Sequence, residues 1–466
     1  MKKPVQYKTT QSQPIEGMMQ PIPIREFRGL NTYDPYSIED SYFTELQNMT
    51  LDDYPALSTR PGYTVIGANG TRVLGMGVWR GSELHVVFSD GTWRRWNGSA
   101  WTTLASGLNT SAEWSFTNFD GNLDGVNLIG CNGVDSMRRY NGSSVSVLSG
   151  APSNGKYITT YQNRLWCAVG NELWSSALDQ PQNWNTFAGN QQDSYRKTIE
   201  SSHGEDINML SGSLYRLTIG MPSSIHLLMG GQPSDFNTRV VTDDEGVASN
   251  NAVTAREGSL SFMHKSGIYE YSAAALPDKG FSELIRTFYA NVSSTSAAGS
   301  DGSRLLFSTQ GGETLVYDPR IGAWSRWILP TPTCYAAVGQ DLYIGTATGQ
   351  VLKKIGLTDN GQQIAFKAVT KPFTNGSIAQ RQRWLKMWIV AELGVGSTLN
   401  ISLSSEASGE SWELVSTITA TSTVQQRIII PVRKFALENT VRIKLEGTGW
   451  IRLHEITRQV RQLPLY

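Results

Sequence analysis

The chain has 466 residues, with 40 basic and 40 acidic side chains, and charged residues make up only 17% of it, against about 25% in an ordinary soluble domain. This balance excludes a basic nucleic-acid wrapper and an acidic tail. The 45 glycines, 14 tryptophans and 18 tyrosines favour short strands joined by many turns, and the length exceeds the roughly 250–300 residues at which a single core stops growing.

Residues 1–27 carry no periodic apolar pattern and read as an arm that orders only when docked. Met1-Lys2-Lys3 could open a signal peptide, but the polar, Gln- and Pro-rich stretch from Pro4 to Arg25 lacks an apolar core, so Sec export is not expected. Nor does any run approach the ~18 apolar residues of a membrane-spanning helix, so no membrane insertion is expected. Residues 28–62 read as a docking segment. Within it Ile38, Tyr42, Leu46 and Met49 fall on one helical face and predict a short helix over Ser37–Met49, with Ser37 and Asp40 as a capped start.

From residue 63 to 375 the pattern is strand and turn. Trp93-Arg94-Arg95-Trp96-Asn97-Gly98-Ser99 reappears as Met137-Arg138-Arg139-Tyr140-Asn141-Gly142-Ser143, and weaker copies occur at Leu315-Val316-Tyr317-Asp318 and Gly267-Ile268-Tyr269-Glu270-Tyr271. A repeat of roughly 40 to 50 residues with several short strands marks propeller blades. In the first unit Val73–Arg80, Glu83–Ser89, Thr92–Trp96 and Ala100–Leu104 read as strands, divided by Gly81-Ser82, Asp90-Gly91 and Asn97-Gly98-Ser99. Later units are expected near 156–184, 206–255, 256–296, 297–330 and 331–375, with a long loop between Pro181 and Asp206. The expected fold is all-β: a six- or seven-bladed propeller followed, over 376–466, by a jelly-roll-like β-sandwich and a C-terminal tail. That last region holds 11 basic and 7 acidic residues, too small an excess to signal DNA affinity.

Residues for chemistry are few. The five histidines, His85, His203, His226, His264 and His454, show no metal-ligand spacing, and Cys131, Cys167 and Cys334 read as buried free thiols. Asp243-Asp244-Glu245 could attract a cation but lacks the alternation of a calcium loop and reads as a solvated turn. Ser89-Asp90-Gly91-Thr92-Trp93 is faintly like a sialidase Asp-box, yet does not recur, and the Arg94-Arg95 pair is repeated as Arg138-Arg139, as a structural feature would be. Trp93, Trp96, Trp101, Trp324 and Trp327 sit at blade positions where packing needs bulk. No catalytic, cofactor or metal residue is assigned, and the chain is not expected to be an enzyme.

Phe27-Arg28-Gly29-Leu30-Asn31-Thr32, continuing through Leu46-Gln47-Asn48 to Leu57-Ser58-Thr59-Arg60-Pro61-Gly62, resembles the opening of a group of bacteriophage virion proteins. Leu173-Trp174-Ser175-Ser176, Pro181-Gln182-Asn183-Trp184, Ile207-Asn208-Met209-Leu210, Ser224-Ile225-His226-Leu227-Leu228 and Gly246-Val247-Ala248-Ser249 extend the resemblance over roughly residues 20–290. It implies a β-propeller nozzle of a short-tailed phage. Such a protein is assembled in the host cytoplasm as a homo-hexameric ring in the virion tail, contacts adaptor or portal proteins and tail fibres, and lets viral DNA pass transiently and non-specifically. The competing reading is a carbohydrate-binding or sialidase-like propeller that recognises a host receptor, with exposed tryptophans and a carboxylate pair at the propeller mouth.

Overall fold

The computed structural model describes residues 21–213, 216–256, 258–273, 275–374, 379, 381–406, 409 and 411–463. Asn-Gly and Asp-Gly hairpins fold the repeat into antiparallel sheets. Blade 1 comprises Val73–Trp79, Glu83–Phe88, Thr92–Trp96 and Trp101–Ala105, within a residue or two of the expected strands. Blades 2, 3 and 4 span Ser115–Val147, Ile158–Thr198 and Met209–Thr242, with four strands each. Blade 5 has three, Val253–Arg256, Ser259–His264 and Gly267–Tyr271, and blade 6 has four within Ala297–Ile328. Blade 7 takes three strands from Pro332–Lys354 and a fourth, Tyr63–Val65, from before blade 1.

The repeated motif marks the third strand. Asn97 Oδ1 accepts the backbone N–H groups of Ser99 and Ala100, and Asn141 Oδ1 accepts those of Ser143 and Ser144, the same side-chain-capped turn in successive blades. Packing follows from closure. Seven apolar clusters lie between consecutive sheets, such as Leu74, Trp93, Trp114 and Tyr140 between blades 1 and 2, and Val73, Phe88, Cys334 and Tyr343 between blades 1 and 7. A ring of seven sheets has seven such interfaces, so the propeller is closed. Among the described residues blade 5 has no fourth strand. Ser282, in the 3-10 segment Gly280–Asn291, supplies its hydroxyl to Ile268 N and O, and Glu270 exchanges hydrogen bonds with Asp278.

Three expectations are corrected. Ser37–Met49 is not helical, since Tyr42–Gln47 is a strand paired antiparallel with Ala365–Thr370 and parallel with Gly29–Leu30. The helical spacing of Ile38, Tyr42, Leu46 and Met49 is a coincidence of separate elements: Ile38 is buried ahead of the strand, Leu46 within it, and Met49 in the next strand, Met49–Thr50, while a bulge between Phe43 and Glu45 breaks the alternation that would have marked the strand. Second, the sandwich is not C-terminal alone. One sheet joins Val424–Ile430, Gln382–Leu393 and Ile451–Gln462 to Ile22–Ile24, Leu57–Thr59 and Met49–Thr50. The other runs Gly29–Leu30, Tyr42–Gln47, Ala365–Thr370, Arg442–Thr448, Thr398–Ser404, Glu413–Thr419. Residues 28–62 are therefore part of the second domain rather than a separate docking segment, and so is the 21–27 end of the expected arm. Residues 1–20 and the Asn375-Gly376-Ser377 boundary lie outside the described residues. Third, the stretch from Pro181 to Asp206 holds the fourth strand of blade 3, Tyr195–Thr198. The loop before that strand is gathered by the buried Arg164, which donates to the carbonyls of Ser176, Gln191 and Asp193.

Gly29–Leu30 pairs with Trp324 of blade 6, so blade 6 and one sandwich sheet form a single ten-stranded sheet, with one apolar core running through both. Gly29 is held at φ +82, and a Cβ there would lie 2.3 Å from Trp324 O. Gly29→Ala is therefore expected to cost about 2–4 kcal/mol and lower the thermal midpoint clearly. Gly98→Ala, at φ +99 but with nothing within 4 Å, should cost about 1 kcal/mol. Equal midpoints for the two variants would refute the joint.

Candidate functional site

The inner strands of the seven blades surround an axial cavity of about 250 Å³, lined by residues including Met76, Ser115, Thr159, Ser211, Asn251 and Tyr335. At ~30 Å³ per water molecule this holds a handful of waters. Where the inner strands end, a wider depression of about 910 Å³ is lined by Asn118, Asp120, Thr160, Tyr161, Gln162 and Asn163. Two of its amides bridge blades: Asn118 Nδ2 donates to Val78 O at 2.8 Å and Gln162 Nε2 to Gly230 O at 3.0 Å. At the opposite end Arg72 donates to Glu113 at 3.1 Å, and Asn251 Nδ2 reaches both Glu113 and Thr333 O. Burial raises the Glu113 carboxyl above its usual range against the pull of Arg72 and Lys156. These contacts tie blades together across the axis.

The sequence-flagged residues are dispersed. His85 is fully buried in blade 1, accepting Trp93 Nε1–H at Nδ1 (3.0 Å) and donating from Nε2 to Glu83 (2.9 Å). Burial pushes its pKa down to about 4, so it is a neutral packing group. His226 bonds Ser224, His264 bonds Ser266, and burial lowers both. His203 bonds Ser202, and His454 stands 3.9 Å from Glu392. Among the described residues no three His, Cys, Asp or Glu side chains stand close enough to hold a metal ion. Glu245 accepts from Thr242 and Tyr269, while Asp243 and Asp244 are exposed. In the Asp-box-like segment Asp90 accepts from Thr92 N and pairs with Arg94, closing its own hairpin. Arg95 donates to Tyr140, and Arg138 and Arg139 belong to the next blade, so the arginines do not converge. Trp93, Trp324 and Trp327 are buried, and Trp96 and Trp101 pack on each other with ring centroids 5.0 Å apart. Cys131, Cys167 and Cys334 are buried free thiols, and burial pushes Cys334 up to about 12.

Polar groups do converge, away from any cavity, where blade 6, blade 7 and the sandwich meet. Arg60, 1% exposed, donates to both Asp359 carboxylate oxygens (2.9 and 2.7 Å), to Ile328 O (3.1 Å), to Pro61 O (3.0 Å) and to Asn48 Oδ1 (2.9 Å). Asn48 in turn accepts Ile328 N–H and donates to Ala365 O. Beside it, burial alone would raise the Asp301 carboxyl, but Arg304 and Lys354 outweigh this and hold it well below the usual carboxylate range. Arg304 reaches on to Asp52 at 2.7 Å. Sequence reasoning singled out Asn48 and Arg60 through the resemblance. It missed Asp359 and Asp301, whose only local signals are the turns Asp359-Asn360-Gly361 and Asp301-Gly302.

No protein-family model matches the sequence, and no curated protein matches it. Among solved structures the chain is similar to the WD40 β-propeller domain of Doa1, at 11% identity and TM-score 0.42, over 63% of this chain and 96% of that one. It is similar to BamB from Moraxella catarrhalis at 10% identity and TM-score 0.40, over 60% and 82%. It is also similar to BBS1N, solved in complex with ARL6DN, at 12% identity and TM-score 0.42, over 65% and 99%. These likenesses concern the path of the chain and carry nothing about function.

Arg60→Ala should destabilise the protein by about 3–5 kcal/mol, because it strands a largely buried carboxylate. Arg60→Lys should recover little of this, since one ammonium cannot serve Asp359, Asn48 and Ile328 together; unfolding midpoints check both. His85 predicts a pH effect. Its folded pKa of about 4 lies below the ordinary value of 6.5, so the unfolded chain takes up a proton that the folded chain does not between those values. Its share of stability is complete above pH 6.5 and is lost as the pH falls toward 4, up to about 3 kcal/mol. Unfolding midpoints at pH 7 and 4.5 should differ by that much less in His85→Gln.

Proposed function

We propose that this chain is a structural virion protein of a bacteriophage tail, a nozzle whose copies form a ring around the DNA channel and serve genome retention and ejection. One observation carries the reading. The opening segments of the resemblance to phage virion proteins build the junction: Gly29 joins blade 6, while Asn48 and Arg60 bond each other and both neighbouring units. In its opening part the resemblance thus falls on residues with a shared architectural task, while its later segments lie in and beside blades 3 and 4. The narrow propeller axis fits a channel enclosed between several copies. The zero net charge suits a conduit, since many lysine or arginine contacts would hold phosphates and slow sliding. The sugar-binding alternative gains no support from the buried tryptophans and the divided arginines.

Electron microscopy of purified particles carrying a labelled copy should place the protein in the tail tube beneath the head. Particles assembled without it should fill with DNA and then lose it, measured as a fall in the DNA-filled fraction. Label at the distal receptor-binding fibres would overturn the nozzle reading.

A further inference from the structure

The outer face of the first sandwich sheet carries charge without compensation. Arg383 stands directly opposite Arg461, Lys386 lies beside Gln459, and Arg427 lies beside Val390 with its guanidinium 5.0 Å from the Trp388 ring centroid. All four basic side chains are exposed, and none has an ion-pair partner among the described residues. Glu455, within electrostatic reach of Arg427, is already paired with Arg25 at 2.7 Å. Like charges directly opposite one another on neighbouring strands are destabilising, so this arrangement costs stability in an isolated chain. Beside it Ile429 is 72% exposed, and its strand, Val424–Ile430, is the sheet's outermost, its other edge bare among the described residues. An apolar bare edge flanked by unmatched charge suits a protein contact better than a solvated surface.

The counter-charge is present on the same chain. At one end of blade 4, Glu205, bonded to Ser223 in the turn just before Ile225, shares a strand end with Asp243, Asp244 and Glu245, which follow Thr242 directly opposite Ile225; none of the four is ion-paired among the described residues. Glu205 accepts from Ser223 N and Oγ, which fastens its loop to the blade's central hairpin, and Glu245 is fixed by Thr242 and Tyr269. Bases stand near this end as well: Lys265, next to His264 in the blade 5 hairpin turn, and Lys279, near Tyr269 and itself paired with Glu283 at 3.5 Å, while Arg239 lies further along the fourth strand. That strand, Asn237–Thr242, is also outermost in its sheet, and Val240 on it is 50% exposed. Blade 5 separates blade 4 from blade 6, where the sandwich is rooted.

We propose that these two faces are the halves of one contact between copies of this chain, the basic sandwich face of each copy seated on the acidic end of blade 4 in the next. The inference rests on the ring reading and names its interface. Neither face complements itself, so the contact is head-to-tail, and a head-to-tail contact closes into a ring or runs on as a filament. Identical copies then satisfy every unmatched charge.

Lys386→Glu with Arg427→Glu, and separately Asp243→Lys with Asp244→Lys, test this in the full chain. All four side chains are exposed, so thermal unfolding should match that of the parent. Analytical ultracentrifugation should show the parent associating, about tenfold or more weakly as salt rises from ~0.05 to ~0.5 M. Each double variant should be monomeric, and an equimolar mixture should reassemble, because the reversed faces match each other and the untouched faces still match. Carbodiimide cross-linking of the parent should join Lys386 to Asp243 or Asp244 of another copy. If the parent associates and the variants associate equally well, or their mixture stays monomeric, the assignment of faces falls and the ring reading stands. If the parent is monomeric at every concentration and salt, both fall.

Discussion

The Arg60 guanidinium is buried where three bodies meet, and its donors are divided among them: Asp359 beside blade 7, the Ile328 carbonyl of blade 6 and the Asn48 amide of the sandwich. A cation held this way has no slack. Shifting any one body would leave an N–H without an acceptor in a site water cannot reach, at a cost of several kcal/mol. The close approach of Gly62, where a Cβ would lie 2.0 Å from Thr358 O, and the Asp52–Arg304–Asp301–Lys354 chain alongside fix the same geometry. The continuous ten-stranded sheet then carries it outward. Propeller and sandwich are thereby joined through one sheet, one core and one buried polar junction rather than hung on a linker.

Rigidity bears on how the unmatched charges are read. A flexible sandwich could fold its basic face back onto some acidic partner of the same chain. Held on blade 6, it presents Arg383, Lys386, Arg427 and Arg461 at a set distance from the carboxylates of blade 4. The chain is neutral in sum but polar in arrangement, and the near-zero total hides the separation.

How much of this the sequence disclosed followed from range. Blade hairpins were legible because Asn-Gly and Asp-Gly turns act over a few residues, and the strands of blade 1 and the repeated third strand were recovered almost residue for residue. The false helix arose because Ile38, Leu46 and Met49, buried in a bend and two successive strands, happen to fall at helical spacings, while the bulge between Phe43 and Glu45 breaks the strand's alternation. The composition of the sandwich was illegible in principle, because Leu57 and Leu453 become neighbours only through pairing across most of the chain. Asp359 was hidden for the same reason, and so was the approach of Glu205, through Ser223, to the strand end that carries the exposed Asp243-Asp244 turn.

The strand Tyr63–Val65, which completes blade 7 by pairing with Leu352–Lys354, also sets the order in which the molecule can form. Blades 1 to 4 are made of consecutive residues and can fold as each emerges from synthesis, at low contact order. Tyr63–Val65 must wait, bare-edged, until the far end of the propeller exists, and the sandwich strands that precede it wait longer still. Closure of the ring and completion of the sandwich are thus late, coupled events of high contact order. Of the two surfaces proposed as subunit contacts, the one on blade 4 can form early, whereas the sandwich face reaches its final form only with these late events.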